Sequence, residues 1–97
     1  MKMKELLDSE EKWTKGTYAR DKRGKGISPI CSNAVCFCLL GAIEKCYSSE
    51  KKENLDYAVI SKIRRHLNLR TGTIACWNDA PERTFEEVKS LVEELDI

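Results

Sequence analysis

The sequence predicts a mainly α, compact four-helix domain around a buried central helix, with a short β-ribbon or extended loop near residues 17–28. Three observations carry this reading. The run Ala34–Ile43 holds ten residues without a charge in a chain that is 34% charged. It is too short to cross a membrane, which takes about 20 apolar residues. Lacking period-2 alternation, it reads as a helix buried on all sides. Two further segments space apolar residues as helices do: Leu55, Val59, Ile60, Ile63 and Leu67, then Phe85, Val88, Leu91, Val92 and Leu95. Finally, 97 residues with 41% hydrophobic content, two prolines and five glycines suit one domain, 1–97, with a core of its own.

The elements follow in order. Met3, Leu6, Leu7, Glu10 and Trp13 recur at helical spacing, and Gly16 stands ready as a C-cap, so a first helix is expected over 2–14. Trp13 is large enough to anchor that helix to the core. Thr17–Arg20 reads as extended, Asp21–Lys22–Arg23–Gly24 as a turn, and Lys25–Ser28 as a returning strand. Such a ribbon is marginal alone and needs helices beneath it. Ser28-Pro29 breaks the pattern, and Ser32 or Asn33 serves as N-cap of the central helix, about 33–46. Gly41-Ala42 in its middle is poor in helix propensity; small residues there let another segment approach closely. A polar loop, Tyr47–Lys52, leads to a third helix beginning near Glu53, with Ser61, Lys62 and Arg65 on its outer side. The loop Asn68–Thr73 offers Gly72 for positive φ. Ile74–Trp77 is too brief for an independent helix, and Asn78–Pro81 reads as a turn. Thr84 and Glu87 form a capping box that opens the fourth helix.

Net charge is +1, so bulk charge selects no partner. The distribution is segregated. Lys12–Lys25 carries six cations and one acid, whereas Trp77–Ile97 carries seven acids and two cations. The N-terminus lacks the apolar run of an export signal, which predicts a cytoplasmic protein whose five cysteines are thiols. Cys36, Cys38 and Cys46 fall in the apolar region, where free cysteine acts as a small hydrophobe. Cys36 and Cys38 lie about 200° apart on a helix, and no C-x-x-C pair occurs, so no metal and no cofactor is expected. Cysteine catalysis needs a base, and nothing brings His66 to Cys38.

Three segments stand out together: Trp13-Thr14-Lys15-Gly16-Thr17-Tyr18-Ala19-Arg20-Asp21, then Cys38-Leu39-Leu40-Gly41-Ala42, then Trp77-Asn78-Asp79-Ala80-Pro81-Glu82-Arg83-Thr84. Their order and spacing resemble a family of small uncharacterised domains of bacteria and bacteriophages, over roughly Leu6–Leu95. The resemblance implies a shared fold and a bacterial or phage origin, and no reaction. The chain departs from it in its extra cysteines and in the basic linker Lys22–Lys25.

These segments supply a candidate constellation: Arg20, Asp21, Asn78, Asp79 and Arg83, flanked by Trp13, Tyr18 and Trp77, with Cys38 beside them. Each residue has a structural account. Asn78 and Asp79 can hold an Asx turn before Pro81, Arg83 can pair Asp79 or Asp21, and the aromatics can be core. In the functional account the Trp77 turn and the Tyr18 ribbon meet over Gly41-Ala42 and present a pocket, where a buried Arg20 needs Asp79 or Asp21 as partner. The structural account explains more of these residues. The functional expectation is therefore a non-enzymatic intracellular binding or regulatory protein, a phage accessory factor acting on a host protein. The first alternative is nucleic-acid binding through Lys12, Lys15, Lys22, Arg23 and Lys25. A second group, Lys62, Arg64, Arg65 and Arg70, adds to it. The second alternative is a small-ligand domain or enzyme with a pocket of Arg20, Asp21, Cys38 and Trp77-Asn78-Asp79.

Overall fold

The apolar run Ala34–Ile43 divides at Cys38. In the computed structural model, which describes residues 1–47, 55–69 and 72–97, its first half is extended and only its second half is helical. Strand β1 (Ala19–Arg20) pairs antiparallel with β2 (Cys36–Phe37) in the register Ala19 to Phe37 and Arg20 to Cys36. Cys38 ends the strand and begins α2 (Leu39–Tyr47): its Sγ accepts a bond from the Gly41 amide at 3.3 Å, as an N-cap side chain does. The expected helix over 33–46 is thus corrected to β2 followed by α2. Short apolar runs fit a buried strand and a buried helix equally well, and here they are spliced.

The ribbon is also paired differently. The segment after the turn returns beside β1, with Asp21 N–H bonding Lys25 O at 2.9 Å and Ile27 N–H bonding Ala19 O at 3.0 Å, but the regular partner of β1 is β2. Beyond Phe37 lies Trp13, joined to it by an isolated parallel bridge. Trp13 is extended, with φ −114° and ψ 142°, so the expected first helix over 2–14 does not form. Its place is taken by α1 (Met3–Leu6) and a 3-10 turn at Glu10–Lys12, separated by Asp8 and Ser9. Asp8 and Ser9 are weak helix formers, and Ser9 is extended, with φ −148° and ψ 156°.

Among the described residues five helices stand where four were expected. Helix α3 (Leu55–His66) buries Val59 and Ile63; the Tyr47–Lys52 loop beyond Tyr47, the helix start at Glu53, the Leu55 side chain and Arg70 lie outside the described residues. The left-handed residue after α3 is Asn68, at φ 55°, rather than Gly72. The extra helix is α4 (Ile74–Asp79), which replaces both the short apolar segment and the Asn78 turn. Thr73 caps it, its Oγ1 accepting from Cys76 N–H at 3.0 Å. Helix α5 (Phe85–Glu94) opens on the predicted capping box: Thr84 Oγ1 accepts from Glu87 N–H at 3.3 Å and Glu87 Oε1 from Thr84 N–H at 3.0 Å.

Helix α2 is the element about which the rest packs, touching α1, α3, α4 and β2. Leu39, Gly41, Ala42 and Ile43 are buried, while Glu44 and Lys45 face outward. Gly41 sets the packing distance. A Cβ there would sit 1.9 Å from the carbonyl oxygen of Tyr18, so the backbone of the β1 approach lies directly on the helix. The close approach expected at Gly41-Ala42 belongs to Tyr18 and not to the Trp77 segment. No helix among the described residues is long and apolar enough to cross a membrane.

Candidate functional site

Asn78, at the end of α4, is the one buried polar side chain in the described core, at 0% exposure. Its Oδ1 accepts from Trp13 Nε1–H at 2.7 Å and from Leu39 N–H at 3.1 Å. Its Nδ2 donates to Thr14 O at 3.1 Å and to Asp79 Oδ1 at 2.9 Å. One amide therefore ties the approach to β1, the start of α2 and the end of α4, with every bond in ordinary hydrogen-bond range. The same Asp79 oxygen also accepts from Gly16 N–H at 3.0 Å.

The other expected members are placed around this hub in separate tasks. Arg20 donates from Nε to Thr14 Oγ1, from Nη1 to Gly24 O and from Nη2 to Lys15 O, all at 2.9–3.0 Å. Among the described residues no carboxylate is a hydrogen-bond partner of Arg20; three neutral oxygens take up its half-buried guanidinium. Asp21 closes the turn instead, its Oδ1 accepting from the amides of Arg23 at 2.9 Å and Lys25 at 3.0 Å. Arg83 bonds neither Asp79 nor Asp21. It lies over the Trp77 ring at 3.8 Å, donates to Trp77 O at 2.8 Å and pairs with Glu87 at 2.9 Å. Beside Arg83 and the Thr84 amide, the Glu87 carboxyl is held below its usual range, the Thr84 bond being the larger cause.

Two concave surfaces gather several of these residues, while Tyr18 and Trp77 each also line another depression. The first is a cleft of about 280 Å³ lined by Gly16, Thr17, Tyr18, Cys38, Ala75 and Asp79. Of the expected pocket residues it contains Tyr18, Cys38 and Asp79; Arg20, Asp21, Trp77 and Asn78 do not line it. Burial pushes the Cys38 thiol above its ordinary value, and the nearby Asp79 carboxylate adds to that, outweighing the Gly41 amide. The second is a depression of about 440 Å³ lined by Asp21, Lys22, Arg23, Ser32, Asn33 and Val35. Ile30 lies 67% exposed in the same 28–35 loop. Of the expected cations, Lys12 pairs with Asp8 at 3.2 Å, and Lys15 donates to Ala80 O at 2.7 Å beside the Trp13 ring. The side chains of Lys22, Arg23 and Lys25 make no ion pair among the described residues.

A model of the family of unknown function DUF6197 matches residues 1–95. The chain belongs to the DUF6197 family. No curated protein and no solved structure matches it. For this DUF6197 chain, the contributors that sequence reasoning passed over are Ser32, Asn33, Val35 and Ile30 on one surface and Thr17 and Ala75 on the other. An isoleucine within the polar stretch Ser28–Asn33 was the available signal; Thr17 and Ala75 carried none. Among the described residues no three histidine, cysteine, aspartate or glutamate side chains gather as a metal site would require.

Proposed function

We propose that this DUF6197 protein is a non-enzymatic binding protein, a bacterial or phage factor that docks an acidic host protein in the cytoplasm. The surface is the basic turn Lys22–Lys25 with the adjoining 28–35 loop. The observation carrying this reading is how the turn is built. Arg20 bonds the Thr14 hydroxyl and the carbonyls of Lys15 and Gly24, and Asp21 Oδ1 accepts from the amides of Arg23 and Lys25, so Lys22, Arg23 and Lys25 project from a braced turn. Ile30 and Val35, 67% and 47% exposed, supply apolar contact beside these charges. The raised Cys38 thiol supports a binding role over catalysis, since a protonated thiol is a poor nucleophile. Affinity capture from a bacterial lysate, with and without nuclease, tests the reading. A protein should co-purify in both, and Lys22→Glu with Arg23→Glu should lose it.

A second reading, nucleic-acid binding, draws on Ser32 and Asn33, polar side chains in the same depression as Lys22 and Arg23. It predicts that capture depends on nuclease-sensitive material, and that affinity for a DNA or RNA probe falls steeply with salt. Binding to such a probe that is indifferent to salt would sink it.

A further inference from the structure

The cleft between β1 and α4 is independent of that basic surface and has a chemistry of its own. All three segments singled out in the sequence supply its walls: Gly16, Thr17 and Tyr18 from the first, Cys38 from the second, and Asp79 with the neighbouring Ala75 from the third. Asp79 is the only charged residue in this lining. Its Oδ1 is committed to two donors, the Gly16 amide and Asn78 Nδ2, which fixes the carboxylate in place. Its Oδ2 accepts no hydrogen bond among the described residues. A carboxylate positioned by one oxygen keeps the other for an external donor.

The remaining groups argue against an anion here. Two first-turn amides of α2 are already engaged, Leu39 N–H by Asn78 and Gly41 N–H by Cys38. Lys15, the cation of the same loop, turns to Ala80 O and the Trp13 ring. Ala75, the Cys38 thiol and the 55% exposed Tyr18 offer apolar and polarisable contact. We infer that this cleft binds a small organic cation bearing N–H donors, an amidine, guanidine or primary amine with a compact apolar body. Its charged end bonds Asp79 Oδ2, and its body lies against Ala75, Cys38 and Tyr18. A volume of about 280 Å³ admits a ligand of this size and little larger.

The test is an amide-resolved NMR titration of the full chain with three isosteric probes: benzamidine, benzamide and benzoate. Benzamidine should give saturable shifts at the amides of Gly16, Thr17, Tyr18, Cys38 and Ala75, while benzamide binds at least tenfold more weakly and benzoate not at all. Asp79→Asn is the decisive variant, because its Oδ1 can still accept from Gly16 and Asn78 while the charge is removed. It should weaken benzamidine at least tenfold with the spectrum otherwise preserved. Ala75→Leu fills the cleft one helical turn before Asp79 on the same wall, and should abolish binding if Asp79→Asn fails to fold. Equal affinity for benzamide, shifts confined to the amides of α5, or benzamidine binding unchanged in both variants would overturn the inference. None of these outcomes bears on docking by Lys22 and Arg23, which the lysate capture measures separately.

Discussion

Asn78 joins chain segments 39 and 65 residues away through a single amide. That role makes a prediction on chemistry alone. Asn78→Asp preserves shape and both acceptor bonds, yet replaces the donor to Thr14 O with an oxygen facing Asp79. Burying an unpaired carboxylate there should cost about 3 kcal/mol or more by chemical denaturation at neutral pH. The deficit should narrow in acid, where the introduced carboxyl is protonated and donates again. Gly41 offers a second prediction. Alanine is the better helix former by about 1 kcal/mol, but its Cβ would meet the Tyr18 carbonyl at 1.9 Å. Gly41→Ala should therefore lower stability by about 2 kcal/mol or more, read as a fall in Tm. Only part of this was legible beforehand. The sequence marks Asn78 and Gly41 as residues that need a reason, but a hydrogen bond to Trp13 or a carbonyl on Gly41 is a long-range fact. Local spacing suggested an Asx turn for the first, and for the second two neighbours, the Tyr18 ribbon and the Trp77 turn, of which Tyr18 lies against Gly41.

Elements were readable in proportion to how local their causes are. The cap and the apolar stripe predict helix α5, because both signals lie within twelve residues of the chain, Thr84–Leu95. Thr84→Ala should cost about 1 kcal/mol in thermal or denaturant melts, the usual loss when an N-cap oxygen is removed. Thr84→Ser, which keeps the acceptor, should recover most of it. Helix α4 was missed because six residues rarely hold a helix by propensity; its end is held by Asn78 against Trp13, Thr14 and Leu39. Apolar content alone does not separate the strand half of the central run from its helical half; the partners of its backbone amides do. Val35 N–H bonds Arg20 O at 2.9 Å and Cys38 N–H bonds Tyr18 O at 3.1 Å, pairings that a helix through Cys38 would forbid. The ribbon and the Cys38–Tyr18–Asp79 cleft both follow from that division.

At the scale of the molecule, the two ends of the described chain are clasped together. Ile97 is buried, its carbonyl accepts from Met3 N–H at 2.6 Å and from the Tyr47 hydroxyl, and α1 packs on α5. Over this seam Asp96, held at a positive φ of 54°, pairs with Lys2 at 2.9 Å and with Lys4. The Lys4 bond, then the Lys2 bond, hold the Asp96 carboxyl down at about 2, and the same contact raises Lys4 above its ordinary value. A carboxyl depressed on folding stabilises the fold fully above its unfolded value of about 4, and that contribution fades as pH falls through about 2. Lys4 mirrors it in base: its share is complete below about 10.5 and is lost as pH rises past the folded value. Asp96→Asn tolerates the left-handed backbone and removes the charge, so it isolates the electrostatic part. The variant should melt below the wild type at pH 7 by a small margin that salt reduces, since the pair is exposed. The two melting curves should converge as pH approaches 2. A carboxyl-carbon NMR titration of Asp96 with a midpoint at the ordinary value would show that the clasp carries no charge coupling. A midpoint near 2, lost in Lys4→Ala, would establish that it does.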